Sequence, residues 1–103
     1  MRLRWTRLAL KDLGDAHDYL ASRNIEAARV VAGRIKDAVR KVATYPLIGR
    51  PGIEPGTREW IVHRTRYLLV YEVDAKILSI LRVWHMSQER VEPGEDDAED
   101  GAT

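Results

Sequence analysis

Ile48-Gly49-Arg50-Pro51-Gly52-Ile53-Glu54-Pro55-Gly56-Thr57-Arg58-Glu59 divides the chain into two kinds of pattern. Its glycines and prolines make residues 47–56 a loop by composition, since Gly permits positive φ and Pro fixes φ and lacks a donor. Apolar residues recur at helical spacing before this loop and at strand spacing after it. The spacing of Gly49, Gly52 and Gly56 does not match a phosphate-binding loop, which needs a Lys-Ser/Thr pair opening a helix. The three glycines are read as serving turn geometry.

Upstream, Leu3 and Trp5 alternate with Arg2 and Arg4, the period of a half-buried strand over residues 2–5. Thr6 is placed to cap a helix over residues 7–23. There Ala9, Leu13, Ala16 and Leu20 form one apolar stripe. Gly14 weakens that helix by roughly 1 kcal/mol relative to Ala. Asn24 can cap a second helix, with Glu26 in its positive first turn. Ala28, Val31, Ile35, Ala38 and Val42 form its stripe, and Arg29, Arg34, Lys36, Arg40 and Lys41 occupy its other faces. Tyr45-Pro46 ends it, because a residue before Pro avoids the helical region. The short link implies an antiparallel helical hairpin.

Downstream, the pattern predicts strands over residues 57–63, 66–73 and 77–85, with Asp74-Ala75-Lys76 as a hairpin connection. In the last strand Ile77, Ser79, Leu81, Val83 and His85 would share one face, and Leu78, Ile80, Arg82, Trp84 and Met86 the other. Both faces are largely apolar, which predicts a central strand covered on both sides. The fold class is therefore α+β, in the order β-α-α-β-β-β, with a helical hairpin packed on a twisted antiparallel sheet.

A chain of 103 residues makes one domain, expected over residues 1–88. It lacks Phe, so Leu, Ile, Val and Ala with Trp5, Trp60 and Trp84 must supply the core. It also lacks Cys, which excludes disulfides, thiolate metal sites and cysteine nucleophiles. His17, His63 and His85 have no ligand spacing, so neither a metal nor a cofactor is expected. No signal peptide or membrane span is apparent, so a cytoplasmic location is expected.

The net charge of +1 hides an asymmetry. Residues 89–103 hold seven acids and one base, and are expected to be a frayed acidic tail. Residues 1–88 hold 16 Lys and Arg against 9 acids. Such a body suits an acidic partner, or is a basic surface with a solubilising tail.

Several pieces in order resemble the RelE/ParE superfamily of bacterial toxins, and the ParE branch in particular. They are Trp5-Thr6 with Ala9 and Asp12-Leu13; Ala27-Ala28 with Ile35 and Ala38-Val39; Pro46-x-x-Gly49-Arg50; Gly56-Thr57-Arg58-Glu59; Tyr67-Leu68-Leu69-Val70-Tyr71; and Arg82-Val83-x-His85. The resemblance covers residues 2–88. It implies the toxin of a type II toxin-antitoxin operon, which associates with plasmid stabilisation and growth inhibition. It implies a cognate antitoxin that wraps the toxin and links it, indirectly, to operator DNA. ParE-like members poison DNA gyrase by binding; RelE-like members cleave mRNA on the ribosome.

Ribonuclease chemistry by 2′-hydroxyl attack needs a base, an acid and cations around the phosphate. Glu59 and His85 are candidates for base and acid, and Arg58, Arg66 and Arg82 for the cations. Against this, RelE-like nucleases resemble one another in an Arg immediately before the Leu-Val-Tyr of the middle strand, where this chain has Leu68. Losing a charged stabiliser costs on the order of 100-fold or more in rate. The leading reading is a binding toxin without catalytic residues. Arg50, Arg58, Arg66, Arg82 and Trp84 are then the target contacts, and Leu13, Ala16 and Leu20 part of an antitoxin groove as well as core. The alternative is an endoribonuclease using Glu59, Arg82 and His85. For Arg82 a structural pair with Glu59 or Glu72 is open beside the functional role. For His85, Trp60 and Trp84 a purely structural role is open too.

Overall fold

Thr6 and Asn24 start the two helices as their side chains predict. The Thr6 hydroxyl accepts from the Ala9 amide, and Asn24 Oδ1 accepts from the amides of Glu26 and Ala27. The computed structural model describes residues 1–87. The acidic tail, and the expectation that it frays, lie outside the described residues. Strand β1 (Arg2–Trp5) leads into α1 (Arg7–Ala21) and α2 (Ile25–Thr44). The loop follows, then β3 (Thr57–Ile61), β4 (Tyr67–Asp74) and β5 (Ile77–His85), with the two-residue β2 (Arg50–Pro51) inside the loop. Composition hid β2: Pro51 cannot donate to a ladder, but an edge strand does not require it.

The five strands lie in the order β1-β5-β4-β3-β2. Four of them pair antiparallel, while β1 runs parallel to β5, with Leu3 opposite Leu78 and Trp5 opposite Ile80. The sheet is therefore mixed rather than wholly antiparallel. Two helices intervene between β1 and the later strands, which leaves room for a parallel return.

The face assignment along β5 also changes. Val70 pairs with Arg82 but Tyr71 pairs with Ile80, so Leu81 has no residue opposite it. Such a bulge resets the alternation. Leu78, Ile80 and Val83 are consequently buried on one side, although strict alternation puts Val83 on the opposite face from the other two. The Thr6 hydroxyl donates to the carbonyls of Ile80 and Leu81 and holds the chain at this bulge.

Both helices lie on the face that carries Tyr67, Leu69, Tyr71, Leu78, Ile80 and Val83. The stripes of α1 and α2 close this core, with Ala9 and Val42 fully buried and Leu13, Leu20 and Val31 packed at its margin. No helix among the described residues packs on the other face, so β5 is not covered by helices on both sides. Leu68 and Val70 are nevertheless buried there. Register sets Trp84 beside Leu68 and Arg82 beside Val70, and these long side chains supply the cover.

One side chain fixes the loop to the core. The buried Tyr71 hydroxyl donates to the Pro46 carbonyl at 2.7 Å and accepts from the Gly49 amide at 2.9 Å. The Gly49 backbone passes so close that a Cβ there would lie 2.6 Å from that hydroxyl and 2.8 Å from the Glu59 carbonyl. Gly49 is thus required by close approach rather than by turn geometry. Gly56, with φ at +85°, is the glycine that a turn requires.

Burial pushes the Tyr71 phenol above its ordinary pKa, an effect only partly offset by the Gly49 amide and Arg58. The folded state favours the neutral phenol, so the stabilisation is complete below the unfolded-state value of about 10 and is lost as pH rises through the higher folded value. Urea titrations should show stability falling above about pH 10. In Tyr71→Phe that part of the alkaline loss should vanish, with a cost near neutrality of about 1–3 kcal/mol from the unpartnered Gly49 amide.

Candidate functional site

The helix-free face of the sheet carries one row of residues across four strands. Arg50 pairs with Glu59, Glu59 with Val70, and Val70 with Arg82. Glu59 is only 4% exposed, and its Oε1 accepts from Arg50 Nε at 3.2 Å and Nη2 at 3.1 Å. A carboxylate buried this deeply must keep its partner, because an isolated charge there is costly.

Arg82, at the other end of the row, turns round the edge of the sheet. Its Nε and Nη2 donate to the two oxygens of Asp12 on α1, at 2.7 and 2.9 Å. The Val83 amide donates to the same carboxylate at 3.0 Å. The structural pair open for Arg82 therefore exists, but with Asp12 rather than Glu59 or Glu72. Strand-to-strand reasoning missed it because the partner is helical. β1 ends opposite Ile80, so the following β5 edge is open for α1 to fill. The Arg82 guanidinium also lies over the Trp84 ring, 4.8 Å from its centroid.

Register thus places Arg50, Arg82 and Trp84 on one face of the sheet. Arg66 is exposed just before β4, and its carbonyl accepts from the Met86 amide. Arg58 does not join them. Adjacent to Glu59 on β3, it turns to the helix side, where Nη1 donates to the carbonyls of Gly49 at 2.8 Å and Leu47 at 3.3 Å. It pins the loop from beneath. Trp60 packs against the core, whereas Trp84 belongs to the helix-free face.

His85 also lies on the helix side. It is opposite Tyr67 in register and meets that ring edge-on, with centroids 5.1 Å apart. Its Nδ1 accepts from the Ser87 amide at 3.2 Å, and the Ser87 hydroxyl lies 2.6 Å from it. With Asp12, Asp15, Tyr19, Tyr67 and Ser87 it lines a cleft of about 350 Å³ between α1 and the ends of β4 and β5. The sheet therefore separates Glu59 from His85, whereas Arg82 reaches Asp12 in the wall of the cleft that His85 lines. Leu13, Ala16 and Leu20 face the core, with Ala16 itself lining the base of the cleft. No group of His, Asp and Glu among the described residues has the arrangement of a metal site. No helix among the described residues is long and apolar enough to cross a membrane.

The Asp12–Arg82 pair is partly exposed, which moderates its strength. Asp12→Ala should still cost about 1–3 kcal/mol, because it also leaves the Val83 amide without its acceptor. A double-mutant cycle of Asp12→Ala with Arg82→Ala in urea should return a coupling of about 1–2 kcal/mol; simple additivity would contradict the pairing.

Comparison with known proteins agrees with this architecture. Residues 3–90 match the family model described as the ParE toxin of the type II toxin-antitoxin system, parDE. A Sinorhizobium fredii protein provisionally named toxin Y4kP is 36% identical over 88 residues, covering 85% of this chain and 91% of the relative. Toxin RelE2 of Caulobacter vibrioides is 32% identical over 84 residues, covering 82% and 93%. A solved structure of the chromosomal ParDE TA system from P. aeruginosa superposes with a TM-score of 0.74 at 28% identity, covering 82% of this chain and 95% of that one. The helical hairpin, the mixed sheet and the match across residues 3–90 place this chain in the ParE toxin family of type II toxin-antitoxin systems, within the RelE/ParE superfamily.

Proposed function

We propose that this toxin acts by binding DNA gyrase through the helix-free face of its sheet, without making or breaking a bond itself. The observation that carries this reading is the separation of Glu59 from His85. A shared phosphate needs base and acid within hydrogen-bond reach of the same reacting group. Here Glu59 is buried against Arg50 on one face, while His85 lines a cleft on the other. Leu68 occupies the position where a nuclease would need a cation, and it is buried. What remains on the helix-free face is a recognition surface of Arg50, Arg66, Arg82 and Trp84. Arg and Trp are the residue types that dominate binding energy at protein interfaces.

A ParD-type antitoxin is the partner that fits the family and the ParDE structure. Because Leu13, Ala16 and Leu20 are turned inward, the antitoxin would meet α1 through residues on its outer side. Leu8 and Tyr19 are 55% and 53% exposed and lie about three turns apart on one side of that helix. Operator DNA would be reached only through the antitoxin. The relative named RelE2 favours a second reading, a ribosome-dependent mRNA endoribonuclease.

A supercoiling assay that also detects trapped cleavage complexes should show gyrase inhibition by the antitoxin-free protein. Arg66→Glu and Trp84→Ala should weaken it at least about tenfold, the loss expected of central interface residues, while melting curves confirm that both variants are folded. Unaffected gyrase, together with transcript cleavage after induction, would overturn the proposal in favour of the ribosome.

A further inference from the structure

We propose that the acidic segment of residues 92–100 docks on the arginine-bearing, helix-free face of the sheet and acts there as a tethered competitor of other polyanions. The inference is independent of which target the toxin strikes. The face holds Arg2, Arg4 and Arg50 by register and Arg66 by alternation with Leu68, while Arg82 starts from this face with its guanidinium held by Asp12 at the sheet edge. Its acids are Glu59, Glu72 and Asp74, and Glu59 is buried against Arg50. The segment itself carries Glu92, Glu95, Asp96, Asp97, Glu99 and Asp100, with no base. The family model ends at residue 90, so this charge is an addition to the shared domain.

Position and reach favour this face over the other basic surface, the outer side of α2. The described chain leaves β5 through Ser87, at the end of the sheet where Met86 still pairs with Arg66. The cleft beside Ser87 is lined by Asp12 and Asp15, which repel an acidic segment. The helical layer stands between this exit and the outer side of α2, whereas the helix-free face is adjacent. An extended chain advances about 3.3 Å per residue. The eight residues from Ser87 to Glu95 thus span about 26 Å, nearly the length of the nine-residue β5. Residues 92–100 can therefore lie along the face from the Arg66 end to Arg4 and Arg2.

A short tether sets an effective concentration in the millimolar range. A free polyanion that binds the same face then competes against it at a disadvantage of about tenfold or more. The test uses the full chain and a variant carrying Glu95→Gln, Asp96→Asn, Asp97→Asn, Glu99→Gln and Asp100→Asn, with a polyglutamate peptide as probe. Nuclear magnetic resonance reads the Trp84 indole and the Nε groups of Arg2, Arg4 and Arg82, with Arg29 and Arg40 of α2 as the comparison. At low salt the helix-free-face signals should differ between the two proteins and converge at high salt, while the α2 signals stay put. The peptide should bind the variant about tenfold more tightly than the full chain and shift the same helix-free-face signals. A second variant, Arg2→Ser with Arg4→Ser in the full chain, should reduce the salt-dependent shifts at Trp84 and Arg82. Tighter binding without any difference in those signals would mean that the acids act only through the long-range field, and would overturn docking. Shifts on Arg29 and Arg40 instead would overturn the choice of face.

Discussion

One carboxylate holds the two halves of this fold together. Asp12 accepts from both guanidinium nitrogens of Arg82 that reach it and from the amide of Val83. It does so where β1 has ended and the next donors of β5 would otherwise lack a strand. The first helix thereby completes an edge that the first strand leaves unfinished. The same contact bends Arg82 round the sheet, sets its guanidinium over Trp84 and places Asp12 in the wall of the cleft. Packing, the arginine-bearing face and the cleft all converge on this residue, and a partly buried polar cluster of this kind holds its geometry because each donor has an acceptor.

Periodicity and capping chemistry made the helices legible. Thr6 and Asn24 cap where their hydroxyl and amide groups suggest, and the apolar stripes point where a 3.6-residue period sends them. The strands were legible to within about two residues, the usual uncertainty of element ends. Three features were not legible. The bulge at Leu81 leaves no mark in a strand that is apolar on both faces, yet it decides on which side Val83 and His85 lie. The parallel pairing of β1 depends on tertiary return rather than local pattern. β2 is hidden by Pro51. Among the site residues, Arg50, Arg82 and Trp84 share one face by register, but Arg58 does not. Its neighbour Glu59 points to the helix-free face, so strand alternation sends Arg58 to the loop carbonyls. That signal is present in the two-residue period of β3. The Asp12 pairing could not be read from strand periodicity, since its partner lies seventy residues away.

The sheet works as a partition between two chemical environments. On the helix side, apolar packing with Tyr71 and Arg58 keeps the loop in place. On the other side, guanidinium groups and an indole are held in rows by cross-strand register. Recognition by a surface of the proposed kind needs rigid spacing more than reactive groups, and a central β4 paired with β3 on one side and β5 on the other gives that spacing. In the proposed reading this partition gives a small domain a contact face with no shared acid–base pair on it.

The parallel pairing of β1 with β5 has a consequence for the order in which the chain can fold during synthesis. Arg2 through Trp5 emerge from the ribosome well before their strand partners, Ile77 through Ile80, and Thr6 waits for the carbonyls of Ile80 and Leu81. The α1–α2 hairpin can form early from local contacts, but its apolar stripes have no sheet to cover until the last strand arrives. The recognition face has the same dependence, because Arg82 and Trp84 belong to that strand. A nascent or prematurely terminated chain therefore lacks two of the side chains that make up the proposed contact face.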